Sequence, residues 1–312
     1  MLSNYLKTDN RIMKLVCGAG NEDSQTVEKL VRLYSKCGCN MFDVSPNIEV
    51  VKTAKKVLQG EKDKFICVSF GMKQDPHIFK AKIDKNRCIQ CGFCENVCPN
   101  SAIKDFRITE KKCIGCRDCY DVCRTNAITM QEHEIDIDSV LPKIVNIGVD
   151  CIEFHVSAEN EQDMMTKWKK INNYFDGVLS ICIDREYLGN KQVIARINKM
   201  LETRNPYTTI VQADGIPMSA SDDRYKTTLQ AVAMAEIVQN AKLPVYIILS
   251  GGTNSKTAEL ANLCGIEYKG IALGSYARKI VRQYTDREDF YDENIFFEAL
   301  TKANGLIVKN LA

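Results

Sequence analysis

Eight cysteines fall between Cys88 and Cys123, in two copies of one spacing. The first copy runs Cys88-x2-Cys91-x2-Cys94-x3-Cys98-Pro99, and the second, 25 residues on, runs Cys113-x2-Cys116-x2-Cys119-x3-Cys123. The copies agree outside the cysteines too: Ile83 corresponds to Ile108, Val97 to Val122, and the segment ending Ala102-Ile103 to that ending Ala127-Ile128. The chain has 15 Cys in all, which in a secreted protein would suggest disulfides. Its first residues, MLSNYLKTDNR, make no cationic and apolar leader. No apolar run approaches the ~18 residues of a membrane span. A cytoplasmic location with reduced thiols is therefore expected, and a cysteine excess then reads as metal chemistry. With 42 Lys+Arg against 40 Asp+Glu, a net charge of +2 gives no electrostatic case for nucleic acid or an anionic membrane as partner.

The spacing has a physical reason. Three thiolates in a tight C-x2-C-x2-C turn hold three irons of one cubane, and the fourth, sent along a short helix, reaches the neighbouring cubane. This is the two-cluster bacterial ferredoxin repeat. It assigns Cys88, Cys91, Cys94 and Cys123 to one [4Fe-4S] cluster, and Cys113, Cys116, Cys119 and Cys98 to the other. Gly92 and Gly115 would let the loops wrap closely. A zinc ribbon needs only two cysteine pairs and would leave four of these residues unexplained.

Outside the repeat, short apolar runs alternate with amphipathic ones, the pattern of βαβ units. Expected strands are 13–17, 41–44, 65–70, 151–155, 178–183, 208–212, 245–249 and 270–273. Helical patterns at 26–35, 48–58, 139–147, 160–174, 191–201, 225–239, 255–263 and 277–284 separate them. Strict alternation of this kind predicts an α/β fold, a (β/α)8 TIM-type barrel with the ferredoxin-like domain inserted after strand 3. The expected organisation is barrel at 1–78, insert at 79–131, barrel at 132–285 and a helical tail at 286–312, which either packs on the barrel or binds a partner. A loop that follows a strand lies at the catalytic rim of such a barrel, so the clusters should overhang its mouth.

Glycines mark the turns after the last two strands, as a pair in Ser250-Gly251-Gly252-Thr253 and singly in Gly274-Ser275-Tyr276-Ala277-Arg278. Backbone N–H groups there can approach a phosphate. Gly251, Gly252, Thr253, Gly274, Ser275 and Arg278 are thus candidates to bind flavin mononucleotide (FMN) or another phosphate-bearing ligand. Polar residues also end most other strands: Asp43, Ser45, Ser69, His155, Ser157, Asp184, Arg185, Gln212 and Asp214. Asp43, His155, Asp214 and the rim thiol Cys17 are the catalytic candidates. Cys67, Cys151 and Cys182 read as core packing, and His77, His133 and His155 are too scattered for a metal site.

The segments KLVCGAG, CNMFDVS, DPHIFKA, IEFHVSA, QADGIPMS, SGGTN and GSYARKIV resemble the LdpA (light-dependent period) family of cyanobacteria over roughly residues 13–284. The resemblance implies an iron-sulfur protein that senses or relays redox state, and in cyanobacteria passes it to the circadian clock through protein contacts. The glycine loops are also similar to those of flavin-dependent barrels. Two readings follow: a redox relay acting through a partner protein, or an oxidoreductase whose barrel ligand exchanges electrons with the clusters.

Overall fold

The computed structural model describes residues 1–311 except 19, 72–77, 134, 157–159 and 216–221. Twelve strands are seen among them: β1 (Ile12–Val16), β2 (Met41–Val44), β3 (Phe65–Phe70), β4 (Phe79–Ile83), β5 (Ile103–Lys104), β6 (Arg107–Ile108), β7 (Ile128–Glu132), β8 (Cys151–His155), β9 (Val178–Ile183), β10 (Thr209–Asp214), β11 (Tyr246–Ser250) and β12 (Gly270–Leu273). Eight of these close a parallel barrel in the order β1-β2-β3-β8-β9-β10-β11-β12, and β12 returns to β1 with Gly270 opposite Ile12. The fold is the expected TIM-type barrel, and the ferredoxin-like segment enters after β3. The helices start at side-chain caps where the sequence supplies them. Asp23 accepts from the N–H groups of Gln25 and Thr26 to open Ser24–Lys36, and Asn47 does the same for Ile48–Val57.

Strand periodicity explains what fills the barrel. Residues i and i+2 share a face, so β1 turns Ile12, Lys14 and Val16 inward and Met13, Leu15 and Cys17 toward the surrounding helices. The same alternation gives an apolar lower layer of Ile12, Met41, Phe65, Cys67, Cys151, Val178, Ile210, Ile248 and Ala272. Above it lies a polar layer of Lys14, Asp43, Ser69, Glu153, Ser180 and Gln212, all buried. The interior thus changes from hydrocarbon at the bottom to charge at the mouth. A short helix, Leu2–Leu6, plugs the bottom with Leu2 and Leu6. Five residues are too few to show periodicity, so the sequence reading did not include it. The tail forms Glu293–Leu311 and packs on the barrel through Ala299, Ala303, Leu306 and Ile307.

The insert keeps the symmetry of its repeat. β4 pairs antiparallel with β7, setting Ile83 against Ile128, while β5 pairs with β6, setting Ile103 against Ile108. Positive φ also recurs with the repeat: Gln90 (57°) with Gly115 (74°), Gly92 (77°) with Arg117 (70°), and Ser101 (48°) with Asn126 (50°). Gly92 and Gly115 are therefore not equivalent positions. Each copy spends its one glycine on a different left-handed turn and accepts a strained residue at the other.

Leu6 is 1% exposed inside the barrel floor. Leu6→Ala should lower stability by about 2–5 kcal/mol in urea unfolding, with the visible spectrum of the folded protein unchanged.

Candidate functional site

Two small cavities lie inside the insert. Cys88, Cys91, Cys94 and Cys123 line the outer one, with Ile89, Phe93, Phe106 and Ile128. Cys98, Cys113, Cys116 and Cys119 line the inner one, with Ile103, Ile114, Arg117 and Met130. The fold therefore brings together the two sets of four thiols that the spacing grouped. Backbone N–H groups point at the sulfurs: Ala102 at Cys98 Sγ (3.2 Å), Ala127 at Cys123 Sγ (3.2 Å) and Ala81 at Cys113 Sγ (3.4 Å). Burial pushes the Cys116 and Cys119 thiols up to about 12. Bound metal would supply the thiolate form, and the four-thiol donor sets with their largely apolar linings fit a [4Fe-4S] group in each cavity.

The insert is fastened to the barrel. The buried Lys80 ammonium donates to the carbonyls of Gly20 (2.6 Å) and Cys113 (2.9 Å), and the Glu22 N–H donates to Lys111 O at 2.7 Å. From the helix Ser275–Thr285, Arg282 Nη1 donates to Cys98 O at 2.8 Å and Arg278 Nη1 to Val16 O at 2.7 Å. The Lys80, Glu22 and Arg282 bonds tie the inner cavity to the barrel rim, and the Arg278 bond holds that helix to β1.

Below the insert a cavity of about 850 Å³ opens into the barrel mouth. Asp43, His155, Asp214, Gly251, Gly252, Thr253, Gly274, Ser275 and Arg278 all line it, as do Cys116 and Arg117 of the inner cysteine loop. Nine of the ten sequence-derived mouth candidates are thus neighbours. The tenth, Cys17, is a correction: it follows β1 in the outward phase of Met13 and Leu15, fully buried, and burial with the nearby Asp43 pushes its thiol well above the usual range. A nucleophilic role for it does not fit. Ser157 and His77 lie outside the described residues.

The floor of the mouth is one hydrogen-bonded network. Lys14 Nζ donates to Glu153 Oε2 (2.6 Å) and Gln212 Oε1 (2.7 Å) and lies 3.4 Å from Asp43 Oδ2. Ser69 donates to Asp43 Oδ1 (2.5 Å), Ser180 to Glu153 Oε2 (2.7 Å) and Gln212 Nε2 to Glu153 Oε1 (2.9 Å). Burial works against the Lys14 charge, but Asp43, Cys67 and Glu153 outweigh it and keep the ammonium protonated. Burial also works against ionised Glu153, and there Lys14 and His155 win, holding the carboxyl well below the usual range. Lys14, Glu153 and Ser180 were missed as site residues. The available signal was a polar residue inside an otherwise apolar strand run.

At the rim His155 Nε2 lies 3.6 Å from Glu153 Oε1, and Cys182 donates to Asp214 Oδ2 at 3.4 Å. Cys182 therefore faces the polar interior, where the sequence reading expected core packing. Asp214 Oδ1 has no hydrogen-bond partner among the described residues. Burial, then Asp184, raise the Asp214 pKa to about 6. Gly251 (φ 76°) passes so close that a Cβ there would collide with Asp214 Oδ1 and Gly215 N. Thr253 Oγ1 is already committed to the Ala272 carbonyl.

A parallel barrel carrying two four-thiol cradles over its mouth defines an iron-sulfur barrel protein. Residues 81–104 and 106–129 match the 4Fe-4S binding domain, and residues 143–309 match the light dependent period A C-terminal domain. The chain belongs to the light dependent period A family. It is 28% identical over 282 residues to "Light dependent period A" of Synechococcus elongatus, covering 85% of this chain and 79% of that one. Among solved structures, the YdjI aldolase of Escherichia coli K12 superposes with a TM-score of 0.48 at 8% identity, over 97% of this chain and 90% of the other. A truncated 3-deoxy-D-arabino-heptulosonate 7-phosphate synthase of Thermotoga maritima gives 0.47 at 11% identity, over 94% and 84%. Likeness at that level bears on neither chemistry nor substrate.

Asp214 also sets a pH dependence. Its folded pKa is raised, so the folded state holds the proton more tightly, and its part of the stability falls as pH rises from about 4 to about 6. Asp214→Asn should flatten that part of the profile in urea unfolding across pH. An unchanged slope would show that the carboxyl is not buried in charged form.

Proposed function

We propose that this is an electron-relaying or redox-sensing protein whose two [4Fe-4S] clusters serve a ligand bound at the barrel mouth. One observation carries the reading: Cys116 and Arg117 line both the inner thiol cavity and the mouth, so no protein layer separates a group in one from a ligand in the other. When bound, each cluster supplies reversible one-electron chemistry. The chain's residues do the rest. Cys88, Cys91, Cys94 and Cys123 hold the outer cluster; Cys98, Cys113, Cys116 and Cys119 hold the inner one. Cys91 is exposed, so a redox partner protein can approach the outer site from solvent.

At the mouth, Arg278, Ser275 at the start of an 11-residue helix, and the Gly251-Gly252 turn would receive the anionic end of a small phosphorylated ligand. Asp214 and Asp184 would accept hydrogen bonds from N–H or O–H groups at its other end. The relay then reads or reduces that ligand. A cavity of about 850 Å³ is large enough for FMN, and this favours a second reading as a flavin-dependent oxidoreductase.

Anaerobic purification tests the set. Eight irons per chain are expected, with a broad charge-transfer shoulder in the visible spectrum. Resolved flavin bands, and a yellow chromophore released by acid, would select the second reading; their absence would remove it. Cys98→Ala should cost the cluster of Cys113, Cys116 and Cys119 and spare the other, and the opposite loss would overturn the ligand sets.

A further inference from the structure

The two thiol cavities differ in the charge around them. No charged side chain lines the outer one among the described residues. The acid found beside it is Glu95, next to Cys94, and the cations are Arg124, whose guanidinium sits 4.3 Å from the centroid of the lining Phe93 ring, and Arg87, which donates to the carbonyl of the lining Thr125 at 3.3 Å. Around the inner cavity the chain collects four cations. Arg117 lines it, Lys80 binds the Cys113 carbonyl at 2.9 Å, Arg282 binds the Cys98 carbonyl at 2.8 Å, and Arg278 lines the adjoining mouth cavity together with Cys116. Two acids offset part of this: Glu22, 3.3 Å from Lys80 Nζ, and Asp118 beside Cys116. The inner site therefore keeps the larger cationic surplus.

Exposure differs as well. Cys91, Ile89 and Phe93 open the outer site to solvent, while Cys98, Cys113 and Cys119 are 7–8% exposed. Burial alone would disfavour adding an electron to the inner site, because charge is costly in a low dielectric. The same low dielectric strengthens the attraction of Lys80, Arg278 and Arg282 for that electron; Lys80 and Arg282 bind backbone carbonyls of the cysteine loops, and Arg278 lines the cavity that Cys116 also lines.

We propose that these cations give the inner cluster the higher reduction potential, so that an electron received at the exposed outer site comes to rest beside the barrel mouth. The donor is a low-potential one-electron carrier. In the internal step one electron leaves the outer cluster and is gained by the inner one, and no bond or proton moves. Arg278 faces the mouth as well as Cys116, so the stored charge is set next to the ligand position.

The proposal rests on both cavities holding clusters, and the experiment separates the two questions. Iron and sulfide are counted first on the anaerobically reconstituted full chain, and fewer than eight irons would overturn the cluster reading itself. With eight present, a redox titration followed by electron paramagnetic resonance should resolve two one-electron steps. Arg278→Gln and Arg282→Gln should each lower the higher-potential step and leave the lower one in place, every tenfold loss of electron affinity being 59 mV. Arg278→Lys, which keeps the charge, should return the step toward the wild-type value. Two unresolved steps in the wild type, a shift confined to the lower step, or no shift in either glutamine variant would overturn the proposal.

Discussion

A buried ammonium holds the middle of this barrel. Lys14 leaves β1 and reaches Glu153 on β8, Gln212 on β10 and Asp43 on β2, joining four strands that are not all neighbours. Such a cluster is a poor source of net stability, since desolvation cancels much of the Coulomb gain. Its value is specificity. A register slip of one residue would turn Lys14 and Glu153 outward among the helices, leaving unpaired charge in hydrocarbon. Everything above this layer depends on that register: His155, Cys182 and Asp214 stand two residues beyond it on β8, β9 and β10.

The insert depends on the barrel in a similar way. Its two halves hold each other through β4–β7 and β5–β6, but its position over the mouth is fixed by Lys80, Arg282 and the Glu22–Lys111 bond. Each of these ends on a backbone carbonyl of a cysteine loop or of the segment beside one. The same contacts that position the module therefore also place positive charge next to one of its cavities, and structural seating and electrostatic tuning use the same atoms.

Much of this was legible in the residues. The apolar runs of β2, β3, β9 and β12 end where the strands end, because Ser45, Gly71, Asp184 and Gly274 follow them and break extended pairing. The cysteine repeat was legible because metal ligation constrains spacing more tightly than any apolar pattern does. Lys14 and Glu153 escaped notice because attention to strand ends finds the rim of a barrel and not its interior, where only period-two alternation reveals an inward charge. Cys17 and Cys182 were exchanged for the same reason: one residue of phase decides whether a thiol faces helices or cavity.

The arrangement also has a timing. All eight cluster cysteines are made by residue 123, whereas the arginine that clasps Cys98 is residue 282. At ribosomal speeds of about 5–20 residues per second, the stretch between takes on the order of 10–30 s. During that interval the inner thiol loop is complete while the helix whose arginine holds Cys98 is still to be made.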